Sequence, residues 1–442
     1  MRCRHESARG VNGWAILVFV ALVAFGVTAP AGAADPFEKL DTAARFVPSD
    51  AAFFYSAMRN RDQFETVTQS HAWQKLKTMP FVQMGMAIYN LQAIDAESIP
   101  GQINAAFRDP EKKKLIDLAA EMVSDEVFVY GDESLVGGVA LLQQINGAMR
   151  YGPMVLQLSG ETGAFDENEL QGVLLLAVLA DNVDLIRVPE LVIGFRIKST
   201  DTAAAQLDRI EKLVRDALEE APELTVEAGR ETVAGTEYLT FTLPVRKLPW
   251  DELPMDNLEE LETNPGDAQK VLEKVQSLEV VVALGVRDEY VLLSVGPSTD
   301  VLEKLGQGTS LLSRDEFKPL APLADRPVTG LSYLSPAMAK ALGDVGQQVD
   351  DAIEAVEQML PMAELDAAEA EALLKDARAC AEELKQFVPK PGPAAAISFL
   401  TDRGIESYQY DWTVRADLDG SKSLGLMEHL GGNPMLALVA RD

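Results

Sequence analysis

The chain has 442 residues, of which 69 are acidic and 39 are basic, so its formal net charge is −30 at pH 7. This balance argues against a nucleic-acid-binding protein, because a phosphate backbone requires a basic face. It also disfavours docking on anionic lipid. Hydrophobic residues make up 47% of the chain, which is typical of a globular protein and not of a disordered one.

The first 34 residues have the composition of a secretory signal peptide. Three arginines precede an apolar run at residues 14–27, and an Ala31-Gly32-Ala33 cleavage pattern follows. The run has 14 residues, whereas a membrane-spanning helix needs about 20. Cleavage leaves 36 basic and 68 acidic side chains, a formal charge of −32. The sequence therefore predicts export to the periplasm or the extracellular space, or an N-terminal membrane anchor if the signal is not cleaved.

Cysteine content excludes an intramolecular disulfide in the mature chain, because Cys3 leaves with the signal and Cys380 remains alone. Cys380 belongs to a series with the three–four spacing of one helix face. The other members are Leu373, Ala377, Leu384 and Phe387. Since a free cysteine behaves as a small hydrophobic residue, this series predicts a buried helix face.

The predicted elements mix strands and helices from the start of the mature chain. Apolar runs predict strands at residues 51–58, 126–130, 191–198, 224–228 and 238–243. The sequence pattern predicts helices at residues 61–91 and 112–123. It predicts a third helix after Asp201, which is placed to cap it.

Residues 244–267 predict a linker or loop, because they combine three internal prolines with many acidic residues. Beyond this stretch the pattern predicts hairpins at 280–295 and 394–414, a strand at 328–334, and helices at 298–305, 344–360 and 366–387.

Together these elements predict an α+β fold with mixed or antiparallel sheets, helices packed on one face, and two α+β segments that are possible relatives of each other. The predicted organisation is a signal peptide at 1–34, an N-terminal domain at 35–243, the linker at 244–267 and a C-terminal domain at 268–442.

Four segments resemble, in their order, a family of bacterial exported proteins catalogued only as a domain of unknown function. They are residues 46–54 (FVPSDAAFF), 191–218, 231–236 (ETVAGT) and 290–312. The resemblance covers most of the mature chain. It implies export and an α+β fold, and it supplies no catalytic or binding residues.

The sequence contains few residues suited to catalysis or metal binding. It has neither a nucleophile elbow, a zinc motif nor a phosphate-binding loop, so no cofactor or metal is predicted. His71 follows Ser70, a plausible helix cap, and so favours a structural role. His429 precedes a Gly431-Gly432-Asn433-Pro434 turn, which makes His429 and Asn433 candidates for a binding surface.

The alternation of Tyr408, Tyr410 and Trp412 places three aromatic side chains on one strand face. Core packing explains such a face most simply, and a sugar-stacking surface is the functional alternative. The sequence thus favours a non-enzymatic exported protein that binds an envelope component or a protein, or forms part of the cell envelope. A carboxylate-based hydrolase acting on envelope polysaccharide and a calcium-dependent adhesion module remain alternatives.

Overall fold

The computed structural model describes Phe37 and residues 40–95, 97–159, 167–220, 225–248, 250, 258, 261–343, 345–360 and 366–415. Within these ranges the chain has an α+β fold built on one antiparallel sheet of ten strands. A search of the same ranges finds no helix with the length and apolar character needed to cross a bilayer.

The ten strands are numbered in chain order. They are β1 (Phe53–Ala57), β2 (Val127–Gly131), β3 (Leu191–Arg196), β4 (Glu227–Val233), β5 (Thr236–Pro244), β6 (Glu279–Arg287), β7 (Tyr290–Gly296), β8 (Val328–Leu334), β9 (Ala394–Thr401) and β10 (Gly404–Asp411). Their order in the sheet is β10-β9-β8-β1-β2-β3-β7-β6-β5-β4, and β8, β1, β2 and β3 occupy adjacent central positions.

The helices fill the connections between strands. They are α1 (Asn60–Gln69), α2 (His71–Lys77), α3 (Pro80–Gln92), α4 (Ile99–Arg108), α5 (Pro110–Met122), α6 (Glu133–Ser159), α7 (Glu167–Asp181), α8 (Thr200–Glu220), α9 (Asp267–Gln276), α10 (Asp300–Lys304), α11 (Pro336–Leu342), α12 (Val345–Met359) and α13 (Ala367–Lys385). The predicted helix cap at Ser70 is confirmed, because Ser70 Oγ accepts from the Trp73 amide at 3.1 Å. The predicted cap at Asp201 is wrong, because α8 begins at Thr200 and Ser199 Oγ accepts from the Thr202 amide at 3.3 Å. Asp366 caps α13, where its Oδ1 accepts from the Glu369 amide at 2.9 Å.

The two faces of the sheet bury different cores, because successive side chains along a strand point to opposite faces. Val192 and Leu292 belong to the main core, which also contains the N-terminal segment and the short helical turns of residues 301–324. Phe195 and Val291 lie on the other face, in a smaller cluster with side chains from α5 and α8. The amphipathic pattern of each strand thus sets which segments cover it.

The sheet combines strands from both sides of the predicted linker at residues 244–267. Strand β1 pairs with β8, and β3 pairs with β7, so strands from residues 35–243 and from residues 268–442 alternate along the sheet. Within the described residues, the two predicted segments therefore share one sheet and do not form a sheet each.

The predicted buried face around Cys380 is wrong, although the helix itself, α13, is present. Cys380 is exposed, as are Leu373, Leu384 and Phe387. The buried residue is the adjacent Ala381, which is 5% exposed. The helix thus packs through a small side chain beside the apolar series, and periodicity alone did not distinguish the covered face from the uncovered one.

Candidate functional site

A cleft of about 610 Å³ lies at one end of the four central strands of the sheet. Strands β1 and β3 finish at this end of the sheet, and β2 and β8 begin there, as their antiparallel pairing requires. The lining is mostly polar. It consists of Leu40, Asp41, Met58, Arg59, Arg61, Asp62, Ser124, Asp125, Glu126, Arg196, Lys198, Ala324, Asp325, Arg326 and Val328.

Glu126 is the most buried residue of this lining, at 1% exposed. Its carboxylate accepts hydrogen bonds from Thr42 Oγ1 at 2.6 Å, Ser56 Oγ at 2.6 Å and Tyr290 Oη at 2.7 Å. The Ala43 amide donates a further hydrogen bond at 3.0 Å. Burial and the neighbouring carboxylate of Glu126 both raise the pKa of Tyr290, so this phenol remains a donor. Glu126 therefore joins the N-terminal segment to β1 and β7.

Arg196 closes the network on the solvent side. Its guanidinium forms two 2.9 Å hydrogen bonds with the Asp41 carboxylate and contacts Tyr290 Oη at 2.7 Å. It also lies 3.6 Å from Glu126 Oε2. Burial acts against the charged guanidinium, but the bonds to Asp41 and the nearby Tyr290 and Glu126 outweigh it and raise the pKa of Arg196. Arg196 thus interacts with the carboxylates of both Asp41 and Glu126.

The remaining cations of the cleft are more loosely held. Lys198 Nζ has no hydrogen bond or ion pair with the part of the chain that the structure describes. Arg61 reaches Ser124 Oγ at 3.4 Å, and Arg326 lies over the Phe399 ring at 5.1 Å from its centroid. All three residues are exposed. The cleft therefore presents positive groups to solvent in a protein of strongly negative net charge.

Arg59 adopts a left-handed backbone conformation at the mouth of the cleft, with φ of 54° immediately before α1. Backbone hydrogen bonds on both sides hold it there: the Met58 amide donates to Thr329, and the Arg61 amide donates to Ser124. This conformation costs an L-residue about 1–2 kcal/mol. Such strain often persists at functional sites.

Replacing Arg59 with glycine is expected to raise the free energy of unfolding by about 0.5–1 kcal/mol. Glycine removes the strain, and the greater entropy of its unfolded state offsets part of the gain. Urea unfolding measures the change. Asp288→Gly is the matched control, because Asp288 has φ of 52° in the β6–β7 turn, away from the cleft. A destabilised Arg59→Gly protein beside a stabilised Asp288→Gly protein would contradict strain at Arg59.

The structure does not place the predicted binding residues in this cleft. Tyr408 and Tyr410 pack against the main core, and Tyr408 stacks on Phe399 with ring centroids 5.7 Å apart. Trp412 is 37% exposed and lies 6.1 Å from the Tyr410 ring. His429 and Asn433 lie outside the described residues. A binding role for these five residues stays a prediction.

The cleft residues were not predicted because they come from five separate parts of the sequence. What brings them together is the pairing of β8, β1, β2 and β3, which a single sequence does not reveal. One local signal was available: Glu126 directly precedes the apolar strand Val127–Gly131, where a buried carboxylate needs hydrogen-bond donors.

A second charged cluster, formed by Asp132, Glu190 and Lys304, lies at the opposite end of the central strands. Lys304 Nζ contacts Asp132 Oδ2 at 2.6 Å and Glu190 Oε2 at 2.8 Å. Although burial acts in the other direction, hydrogen bonds from Glu190, Lys304 and Ser134 lower the pKa of Asp132 to about 2. The bond to Asp132, together with burial, raises the pKa of Glu190. The two carboxyl groups therefore have pKa values shifted in opposite directions beside one shared cation.

Among the described residues, no group of three or more His, Cys, Asp or Glu side chains is arranged to hold a metal ion. Comparison of the chain with protein-family models, with curated proteins and with solved structures finds no match.

Proposed function

We propose that this protein is an exported, non-enzymatic binding protein of the cell envelope, and that its cleft binds a small ligand carrying a carboxylate or phosphate group. The observation that carries the proposal is the set of solvent-facing cations in the cleft, Arg61, Lys198 and Arg326. Within the described residues, none of the three forms a hydrogen bond or ion pair with a carboxylate, although Arg326 lies near enough to Glu406 to help lower the pKa of that carboxyl group.

The size and chemistry of the cleft agree with a small polar ligand. Ligand pockets in proteins have volumes of about 300–1,000 Å³ and are mostly apolar. This cleft falls in that size range, at about 610 Å³, but charged side chains dominate its lining. The lining holds five basic and five acidic side chains, so the cleft is nearly neutral in a chain where acidic residues greatly outnumber basic ones. Its solvent-facing cations therefore provide local attraction for anions.

The Glu126 oxygens already accept hydrogen bonds from protein groups, which favours a binding role over a catalytic one for the cleft. A general base must have a lone pair directed at its substrate, whereas the Glu126 oxygens accept from Thr42, Ser56, Ala43 and Tyr290. The Asp132 and Glu190 carboxylates are likewise both bonded to Lys304 Nζ, at 2.6 Å and 2.8 Å.

Loss of cleft cations is expected to weaken ligand binding by about tenfold per side chain, because a hydrogen bond to a charged group contributes roughly 1.5–3 kcal/mol. The test titrates wild type, Lys198→Ala and Arg61→Ala with inorganic phosphate, acetate and glucuronate, and follows heat release and thermal unfolding. Added salt should weaken the binding, because the cations are exposed.

Arg403→Ala and Lys390→Ala are the matched controls, since both remove an exposed cation at the β9–β10 side of the sheet. They should bind the same probes as wild type. The proposal fails if none of the three anions binds wild type, or if the cleft variants bind as tightly as the controls.

A further inference from the structure

The helical connection between β1 and β2 presents an uncovered apolar stripe. Phe81, Met84, Ile88 and Leu91 recur along α3 at intervals of three, four and three residues, which places them on one face of the helix. They are between 49% and 70% exposed. The other side of the helix carries Gln83 and Asn90 together with Met86, which is 54% exposed. No residue of α1, α2 or α3 is buried. The described residues therefore leave this stripe in water.

The charge of this region differs from that of the rest of the chain. Residues 66–94 contain Lys75 and Lys77 and no Asp or Glu, in a protein with 69 acidic residues. Both lysines are exposed on α2, directly before the apolar helix. The acidic residues nearest in sequence are Glu65 and Asp95, at the two ends of the segment. The segment is thus locally positive beside an apolar face.

Two aromatic residues extend this pattern. Trp73 is half-buried on α2, and Tyr89 is 46% exposed on α3. Both residue types prefer the boundary between water and hydrocarbon, because each combines an apolar ring with one polar group. A helix that lies in the plane of a bilayer characteristically combines an apolar stripe, such aromatic residues and flanking lysines.

We propose that α2 and α3 dock this protein on the surface of an anionic phospholipid bilayer. The stripe enters the headgroup boundary, while Lys75 and Lys77 face the lipid phosphates. The acidity of the whole chain does not prevent this contact, because salt screens charges beyond about 8–10 Å and the lipid meets the local segment first. The docking is peripheral, and it is independent of ligand binding in the cleft.

Charge favours a bilayer over a second copy of the chain as the occupant. A twofold interface through α3 would bring the lysine pairs of both copies to the same contact, because such interfaces use one surface twice. An anionic bilayer instead complements Lys75 and Lys77.

Flotation with phospholipid vesicles tests the proposal, using the chain from Asp35 onward so that the apolar run of residues 14–27 does not bind lipid. Wild type should bind vesicles of phosphatidylglycerol mixed with phosphatidylcholine, and bind phosphatidylcholine alone much more weakly. Lys75→Gln with Lys77→Gln should weaken binding by about fivefold per lysine. Phe81→Gln with Leu91→Gln should weaken it by about tenfold per side chain.

The controls change equivalent residues elsewhere. Ile405→Gln removes a side chain that is 51% exposed on β10, and Lys318→Gln removes an exposed lysine. Both proteins should bind as wild type does. The proposal is overturned if wild type does not float with the anionic vesicles, or if the stripe variant floats like the controls. It is also overturned if sedimentation shows a wild-type dimer that the stripe variant dissociates, since a second copy would then cover the stripe.

Discussion

Replacing Glu126 with alanine is expected to lower the free energy of unfolding by about 3–5 kcal/mol, because it removes the acceptor shared by several buried donors. Ser56 is 0% exposed and Thr42 is 2% exposed, so neither hydroxyl can bond to water in place of the carboxylate. The Tyr290 hydroxyl also loses the Glu126 carboxylate as its hydrogen-bond acceptor. Each buried donor left without a partner costs about 1–3 kcal/mol.

The glutamine variant separates charge from shape. An amide keeps one oxygen as an acceptor but presents an NH₂ group, and every protein group now bonded to Glu126 is a donor. Glu126→Gln should therefore be destabilised by about 1–3 kcal/mol, less than the alanine variant.

Urea unfolding at neutral pH measures both changes. Asp315→Ala is the control, because Asp315 is a highly exposed carboxylate paired with Lys318 on the surface. Its unfolding curve should match that of wild type. A loss below about 1 kcal/mol in Glu126→Ala would show that water or a rearranged side chain replaces the carboxylate, and Glu126 would not then join the N-terminal segment to the sheet.

The importance of Glu126 follows from where its partners originate. Thr42 and Ala43 precede the first strand, Ser56 lies in β1 and Tyr290 begins β7. One carboxylate therefore fixes Asp41 and the cleft wall relative to β1, β7 and the strand that Glu126 itself precedes, β2. Loss of Glu126 should weaken ligand binding as well as stability, since Asp41 and Arg196 would lose their common support.

The sequence predicts the strands well where their pattern is local. Strand β8 matches the predicted residues 328–334, and the β6–β7 hairpin agrees within a residue or two. In these segments, β-branched and aromatic residues lie between clear turn signals, so each segment carries its own information.

The long helices α6 and α7 were not predicted, and the composition of α6 explains why it was missed. Helix α6 contains Gly137, Gly138, Gly147, Gly152 and Pro153, residues that weaken or interrupt isolated helices. Tertiary contact supports this region: α6 packs against α7 and α11. Such support is invisible to a reading of local propensity.

The candidate site depends still more on long-range pairing. Glu126 and Tyr290 are separated by 164 positions, yet their side chains share a hydrogen bond. Periodicity indicates which face of a strand is apolar, but it does not indicate which strands are neighbours. The strands that form the cleft were therefore predictable from the sequence. The cleft itself was not, because it depends on the order of those strands in the sheet.

Replacing Lys304 with methionine is expected to destabilise the protein by about 1–2 kcal/mol at pH 7. Lys304 is the cation that contacts both the Asp132 and the Glu190 carboxylates. Without it, two like charges remain in contact at partly buried positions, which are 15% and 12% exposed. The expected loss is smaller than for a fully buried pair, because Lys304 is 41% exposed and solvent screens its charge.

The pH dependence follows from the opposite shifts of the two carboxyl groups. The pKa of Asp132 is lowered to about 2, so its stabilising contribution is present above pH 3.8, its ordinary pKa, and is lost as the pH falls towards 2. The pKa of Glu190 is raised, so folding favours its protonated form and this contribution is lost as the pH rises through the folded pKa. The Lys304→Met penalty should therefore shrink between pH 7 and pH 4.5, the ordinary pKa of glutamic acid.

Lys385→Met is a close control, because Lys385 also contacts two carboxylates, Asp350 at 2.5 Å and Glu382 at 3.1 Å. These carboxylates are 52% and 72% exposed, so water replaces the lysine and little change is expected at either pH. Adding Glu190→Gln to Lys304→Met should restore stability at pH 7 and remove the pH dependence, because only one charge remains. If the Lys304→Met penalty is instead equal at both pH values, the loss comes from packing of the lysine stem and not from repulsion between Asp132 and Glu190.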